Sequence, residues 1–229
     1  MTRAKILVLA TISTFTIGIF FAWLWFSFVS SNPSNPIVEE PKASPIKTST
    51  PFSNSNEKIE FPVRKRTELL FAEPINERVK EAKLVPLKVK RLDDNDLEFR
   101  VWVGFGKKPL EGFVISRIAE KWQGTYLESI NDTIKPPYNK RLSPPKSGWE
   151  EFLNQVTDAG LLTLPDFSKL KGYEADGADG TSYVVEVKTN GIYQTYAYIQ
   201  PDYQKHQEAK QMLRIADTLY TEFSIESDR

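Results

Sequence analysis

Two kinds of hydrophobic pattern divide the chain. The first is unbroken: Ile6 to Val29 is a run of 24 positions without a charge. As a helix rising about 1.5 Å per residue it would be about 36 Å long, enough to cross a hydrocarbon core of about 30 Å with some tilt. This predicts a single transmembrane helix over 6–29. Arg3 and Lys5 precede it, and no charge follows until Glu39. The positive-inside rule therefore places residues 1–5 in the cytoplasm and the rest of the chain beyond the membrane. A cleaved secretory signal has a shorter apolar stretch ending in a small-x-small site, which Val29-Ser30-Ser31 matches poorly, so the run reads as an uncleaved signal anchor. Ala10, Thr14, Gly18 and Ala22 recur at every fourth position along it, a stripe of small residues on which a second membrane helix can pack closely.

The second pattern is periodic and fills residues 58–229. Between the two, residues 30–57 are rich in Ser, Pro, Asn and Thr, with too few large apolar side chains for a core, and read as a disordered tether. In the body, a short helix is predicted at about 75–83 with Pro74 in its first turn. Leu84–Leu92 reads as a strand, and Asp93 to Asp96 as a turn. Over 97–105 the alternation puts Leu97, Phe99, Val101, Val103 and Phe105 on one side and Glu98, Arg100 and Trp102 on the other. That predicts a half-buried strand, paired with 84–92 as a hairpin. Two further strands follow at about 113–119 and 122–130, then a Pro-rich surface loop over 133–147.

Ser147 and Glu150 have the spacing of a capping box at the start of a helix carrying Trp149, Phe152, Leu153 and Val156, with Gly160 as its stop. Asn190-Gly191, between alternating strands at 183–189 and 192–199, predicts a type I′ hairpin. An amphipathic helix over 203–223 completes the body. Hairpins followed by helices predict an α+β domain: an antiparallel sheet of about 5–6 strands with two or three helices packed on one face.

Charge and composition then narrow the chemistry. The chain holds 30 basic and 30 acidic residues, a net charge of zero, which argues against a nucleic-acid partner. It has no Cys, so disulfides, thiolate catalysis, Cys-ligated metals and a Cys-linked lipid anchor are excluded. Its one His, His206, excludes any site needing two imidazoles and reads as a solvated residue near the start of the last helix. No metal site and no cofactor is implied.

Asp176-Gly-Ala-Asp179-Gly180 is the loop most like a site. Two carboxylates on a Gly-rich turn suit a small ligand or cation, with Trp122 as a possible aromatic platform. It is not an EF-hand, because Ala178 stands at the second ligand position and Val187 at the twelfth. The residue types for glycan hydrolysis are present in Asp176, Asp179, Glu186, Trp122, Tyr183 and Tyr196, but such sets assemble easily from a chain this rich in acids and aromatics. Ser143 and Lys146 have the Ser-x-x-Lys spacing in a Pro-rich loop rather than at a helix start. The loop carrying Lys135, Tyr138, Lys140, Arg141 and Lys146 is basic and suits an anionic surface or an acidic partner. The expectation for function is a membrane-anchored extracytoplasmic binding or scaffolding module of a bacterial cell envelope. Its partners would be the bilayer at 6–29 and an envelope protein or a second copy. The alternative is an envelope enzyme or small-ligand-binding domain using the Asp176–Gly180 loop.

Overall fold

A computed structural model of the chain describes residues 59, 61, 68–106, 108–128, 139–175 and 180–226. The expected membrane span, with Ala10, Thr14, Gly18 and Ala22, and the tether lie outside these residues, as do Lys135, Tyr138, Asp176 and Asp179. Among the described residues no helix is long and apolar enough to cross a membrane.

The body is an α+β domain built on one antiparallel six-stranded sheet. Its strands are β1 (Leu97–Phe105), β2 (Lys108–Ile118), β3 (Lys121–Leu127), β4 (Asn139–Arg141), β5 (Ser182–Thr189) and β6 (Ile192–Ile199). They lie in the order β4-β3-β2-β1-β5-β6. Among the described residues three α-helices accompany them: α1 (Glu73–Glu81), α2 (Trp149–Asp158) and α3 (Gln207–Phe223). The Asn-Gly signal is realised: Asn190 and Gly191 both take positive φ, 49° and 72°, and β5 and β6 pair across them. The β2–β3 turn has the same handedness without the favoured residues, since Ala119 and Glu120 stand at φ 48° and 62°. An aspartate supports it, because Asp96 Oδ1 accepts the Ala119 amide at 2.9 Å.

The face bearing Phe99, Val101, Phe113, Ile115, Val185 and Val187 is apolar, and α2 and α3 cover it. Phe152 of α2 lies 6.3 Å from Phe99, ring centre to ring centre, and Tyr220 of α3 meets Phe113 edge-on at 5.1 Å. The helix stop at Gly160 is as read. Its amide and that of Leu161 bond back to the Thr157 and Val156 carbonyls in a Schellman arrangement, with Gly160 at φ 104°. The start of α2 differs from expectation. Gly148, not Ser147, is the N-cap, and no side chain caps the helix. Glu150 turns instead to the Trp122 indole, and Ser147 donates its amide to Glu222 of α3.

The opposite face corrects the sequence reading in four ways. First, two helices share the apolar face, within the two or three expected there, but the helix read at about 75–83 is not with them: α1 lies on this side, where buried Arg78 bonds the Glu128 carbonyl at the end of β3. Second, 84–92 is not a strand. Pro86 removes a ladder donor, and its carbonyl accepts the Val89 and Lys90 amides in a turn. The position beside β1 is taken by β5. Third, β1 is buried on both sides, including Glu98, Arg100 and Trp102. Fourth, the register of β1 breaks at Gly104, so Phe105 leaves the side of Val103 and meets Phe71 edge-on at 4.7 Å. The expected loop over 133–147 also contains β4, a three-residue edge strand paired with β3.

Candidate functional site

The strongest gathering of titratable groups lies where β1 and β5 meet, on the face away from α2 and α3. Both strands carry an acid and a base two residues apart, and alternation brings all four side chains to one face. The antiparallel register sets Glu98 opposite Lys188 and Arg100 opposite Glu186, so unlike charges are neighbours across the seam. Glu98 and Arg100 are each 1% exposed, Glu186 3% and Lys188 9%. Arg100 donates from Nε and Nη2 to Glu98 Oε1 at 2.9 and 2.7 Å, and Lys90 reaches the other oxygen, Oε2. Glu186 accepts the Trp102 indole N–H at 2.8 Å and the Tyr193 hydroxyl at 3.0 Å.

The segment 84–92 closes over this tract as a strap. Arg100 Nη2 donates to the Val85 carbonyl and Lys188 Nζ to the Lys88 carbonyl, each at 2.7 Å. Burial pushes the Lys188 ammonium below its ordinary pKa. Both carboxylates are thus engaged by internal donors and shut from solvent, so the tract as it stands has no acid or base free for a substrate. Among the described residues no group of three or more His, Cys, Asp or Glu side chains is placed to hold a metal ion.

Trp122 is half-buried on β3 and stacks on Trp149 at 5.2 Å with the rings nearly parallel. The Arg117 guanidinium lies over the Trp122 ring at 5.6 Å, and Glu150 accepts the Trp122 indole N–H at 3.0 Å. The arginine and the second tryptophan thus hold Trp122 in an internal stack. Trp122 is also far from Gly180 along the sheet. Through the register it is level with Arg117, Leu97 and Thr189, whereas the chain returns from the aspartate loop at Gly180, beside Ser182 at the other end of β5. Seven residues of strand at about 3.4 Å each separate the two levels by about 24 Å. Tyr173, three residues before Asp176, is engaged internally, its hydroxyl donating to the Ile199 carbonyl at 2.9 Å.

The described members of the basic set are exposed but do not converge. Lys140 and Arg141 are consecutive on β4 and so point to opposite faces, and Lys146 lies beyond the strand. Charged side chains on a short edge strand also guard it against pairing with another sheet.

A groove of about 360 Å3 runs beside β6, lined by Phe61, Pro165, Asp166, Lys169 and Tyr193 among others. Its carboxylate is engaged, since Asp166 accepts the amides of Ser168 at 3.0 Å and Ala197 at 2.9 Å. The Tyr196 and Tyr198 hydroxyls donate to the Leu161 and Pro165 carbonyls, and burial pushes both phenols well above their ordinary pKa. His206 is the N-cap of α3, and its ring meets the Lys171 carbonyl at 3.1 Å.

In the sequence each half of the charged tract reads alone as the solvent face of a strand. Glu98-x-Arg100 and Glu186-x-Lys188 could have been matched as complementary acid–base pairs, given a reason to place the two strands side by side. No protein-family model matches the chain, and no curated protein matches it.

Proposed function

We propose that the chain is a single-pass, membrane-anchored module that holds its α+β domain outside the cytoplasm of a bacterial cell and acts there by binding or scaffolding. The observation that carries this reading is the segregation of the sequence. A 24-residue uncharged run and a Ser/Pro/Asn-rich tether precede a body whose clustered charged groups are consumed in internal bonds. Basic residues before the run, with none soon after it, support the orientation. The lack of Cys fits a domain held together beyond the membrane by its core alone. The body's partner would be an envelope protein or a second copy of the chain.

Two measurements test this. A reporter enzyme that is active only outside the cytoplasm, fused after Arg229, is expected to be active, and the full chain is expected to resist carbonate extraction. Release by carbonate, or an inactive reporter at normal expression, would overturn the anchor. Crosslinking of the full chain in its native membrane is expected to trap a discrete partner or a dimer. A chain that stays monomeric and uncrosslinked would overturn the binding role.

A further inference from the structure

We infer that residues 84–92 form a detachable strap that opens as a local unit, while the sheet and the two helices behind it stay folded. The first ground is how the strap is attached. Among the described residues its backbone hydrogen bonds run only to itself and to α1: Leu84 to the Val79 carbonyl, Val89 to that of Pro86, and Lys90 to those of Pro86 and Leu87. Among the described residues no backbone bond joins it to a strand. Side chains hold it instead: Arg100 on the Val85 carbonyl, Lys188 on the Lys88 carbonyl and Lys90 on Glu98.

The second ground is what the strap buries of itself. Leu87, 1% exposed, is its one fully buried side chain, while Val85 and Val89 are 54% and 42% exposed. Leu84 packs only partly against the core, and a segment with one fully buried side chain and no ladder bonds belongs to the least stable part of a fold.

The third ground is what lies beneath. The face under α2 and α3 is apolar, as a permanent cover requires. The face under the strap carries Glu98, Arg100, Glu186 and Lys188, and burying such pairs gains little over apolar residues of the same size. Arg100 Nη1 is buried with no hydrogen-bond partner among the described residues. Lifting the strap hydrates that nitrogen and the Arg100, Glu98 and Lys188 charges that the strap engages, which offsets the loss of these side-chain anchors and of the Leu84 and Leu87 contacts. The same uncovering would be lethal to the apolar face. The two covers therefore differ in kind: α2 and α3 are part of the core, and the strap is a lid on a charged strip.

Residue-resolved amide hydrogen exchange on the full chain in mild detergent, repeated at increasing sub-denaturing urea, tests the inference. The Val89 and Lys90 amides are expected to exchange at least about a hundredfold faster than the paired amides of β1 and β5, with little dependence on urea. Leu87→Ala and Lys90→Met, both on the strap itself, should each speed strap exchange at least about tenfold and leave α3 unchanged. Strap amides that exchange at the rate and urea dependence of β1 and β5 would overturn the proposal. So would a Lys90→Met chain whose strap and α3 amides accelerate equally. Should Leu87→Ala fail to fold, the wild-type urea series and Lys90→Met still decide.

Discussion

Replacing Arg100 with methionine removes the central cation of the buried tract while keeping much of its volume. The guanidinium makes two bonds to Glu98 Oε1, at 2.9 and 2.7 Å, and one to the Val85 carbonyl at 2.7 Å. Without it Glu98, whose side chain is 2% exposed, keeps only Lys90, whose side chain is 28% exposed. Breaking a buried pair from one side typically costs about 3–5 kcal/mol. Lys90 leaves Glu98 partly neutralised, so we expect about 3 kcal/mol, the low end of that range. For a domain of this size each kcal/mol moves the melting temperature by about 2–4 °C, so the fall should be roughly 6–12 °C.

Adding Glu98→Leu to the same chain removes the stranded carboxylate and frees Lys90 to turn to water. The double variant should return to within about 1 kcal/mol of the wild type. Urea unfolding of the four chains followed by far-UV circular dichroism gives the cycle directly. A single variant that costs less than about 1 kcal/mol would refute the reasoning, as would a double variant no more stable than the single.

Three further outcomes follow from the packing. A Cβ at residue 112 would stand 2.7 Å from Trp102 Cζ3, and Trp102 is fully buried, so Gly112→Ala should cost about 1–3 kcal/mol in urea unfolding; an unchanged midpoint would show that the indole can yield. Glu120 holds a left-handed conformation at φ 62° on an exposed turn, so Glu120→Gly should raise stability by roughly 0.5–1 kcal/mol, read as a higher melting temperature. Burial holds the phenols of Tyr173, Tyr196 and Tyr198 above their ordinary pKa of 10.0. The neutral form is therefore the folded one. Its stabilisation is complete below about pH 10 and is lost at about 1.4 kcal/mol per pH unit per tyrosine above it, as the unfolded chain ionises first. Lys188, depressed by burial, acts in the opposite sense, but one lysine does not offset three tyrosines. Phenolate absorbance should therefore rise for these three only together with unfolding, and free titration near pH 10 in a folded chain would refute it.

Local signals carried the fold a long way. Asn190-Gly191, Gly160, the alternation of β1 and the apolar stripe of α3 act within a few residues, and each is found close to where it was read. The misreadings needed knowledge of partners distant in sequence. Leu84–Leu92 alternates like a strand, yet β5 occupies the neighbouring position, and Pro86 makes the segment a turn. The side of β1 bearing Glu98, Arg100 and Trp102 reads as solvent-facing until Glu186 and Lys188 arrive from nearly 90 residues away. Ser147 and Glu150 have capping-box spacing, but Trp122 and Glu222 compete for them from other elements. At the candidate site the residue types were visible in both strands, and the register that makes them one tract was not.

The order of the sheet also has a kinetic consequence. Every pairing but two is a hairpin between strands a few residues apart. Across the β1–β5 seam, Gly104 pairs with Ser182 and Leu97 with Thr189, so the chain must close 78 to 92 positions. Relative to a four-residue hairpin, closing such a loop costs about 2–3 kcal/mol of extra entropy. The meander β1–β3 and the β5–β6 hairpin each assemble cheaply, and folding waits on their meeting along a line that puts apolar side chains on one side and complementary charges on the other. A wrong register by one residue would swap the two faces, and a slip by two would set Glu98 against Glu186. The charges under the strap therefore penalise a slipped register at the pairing that closes the longest loop among the described strands.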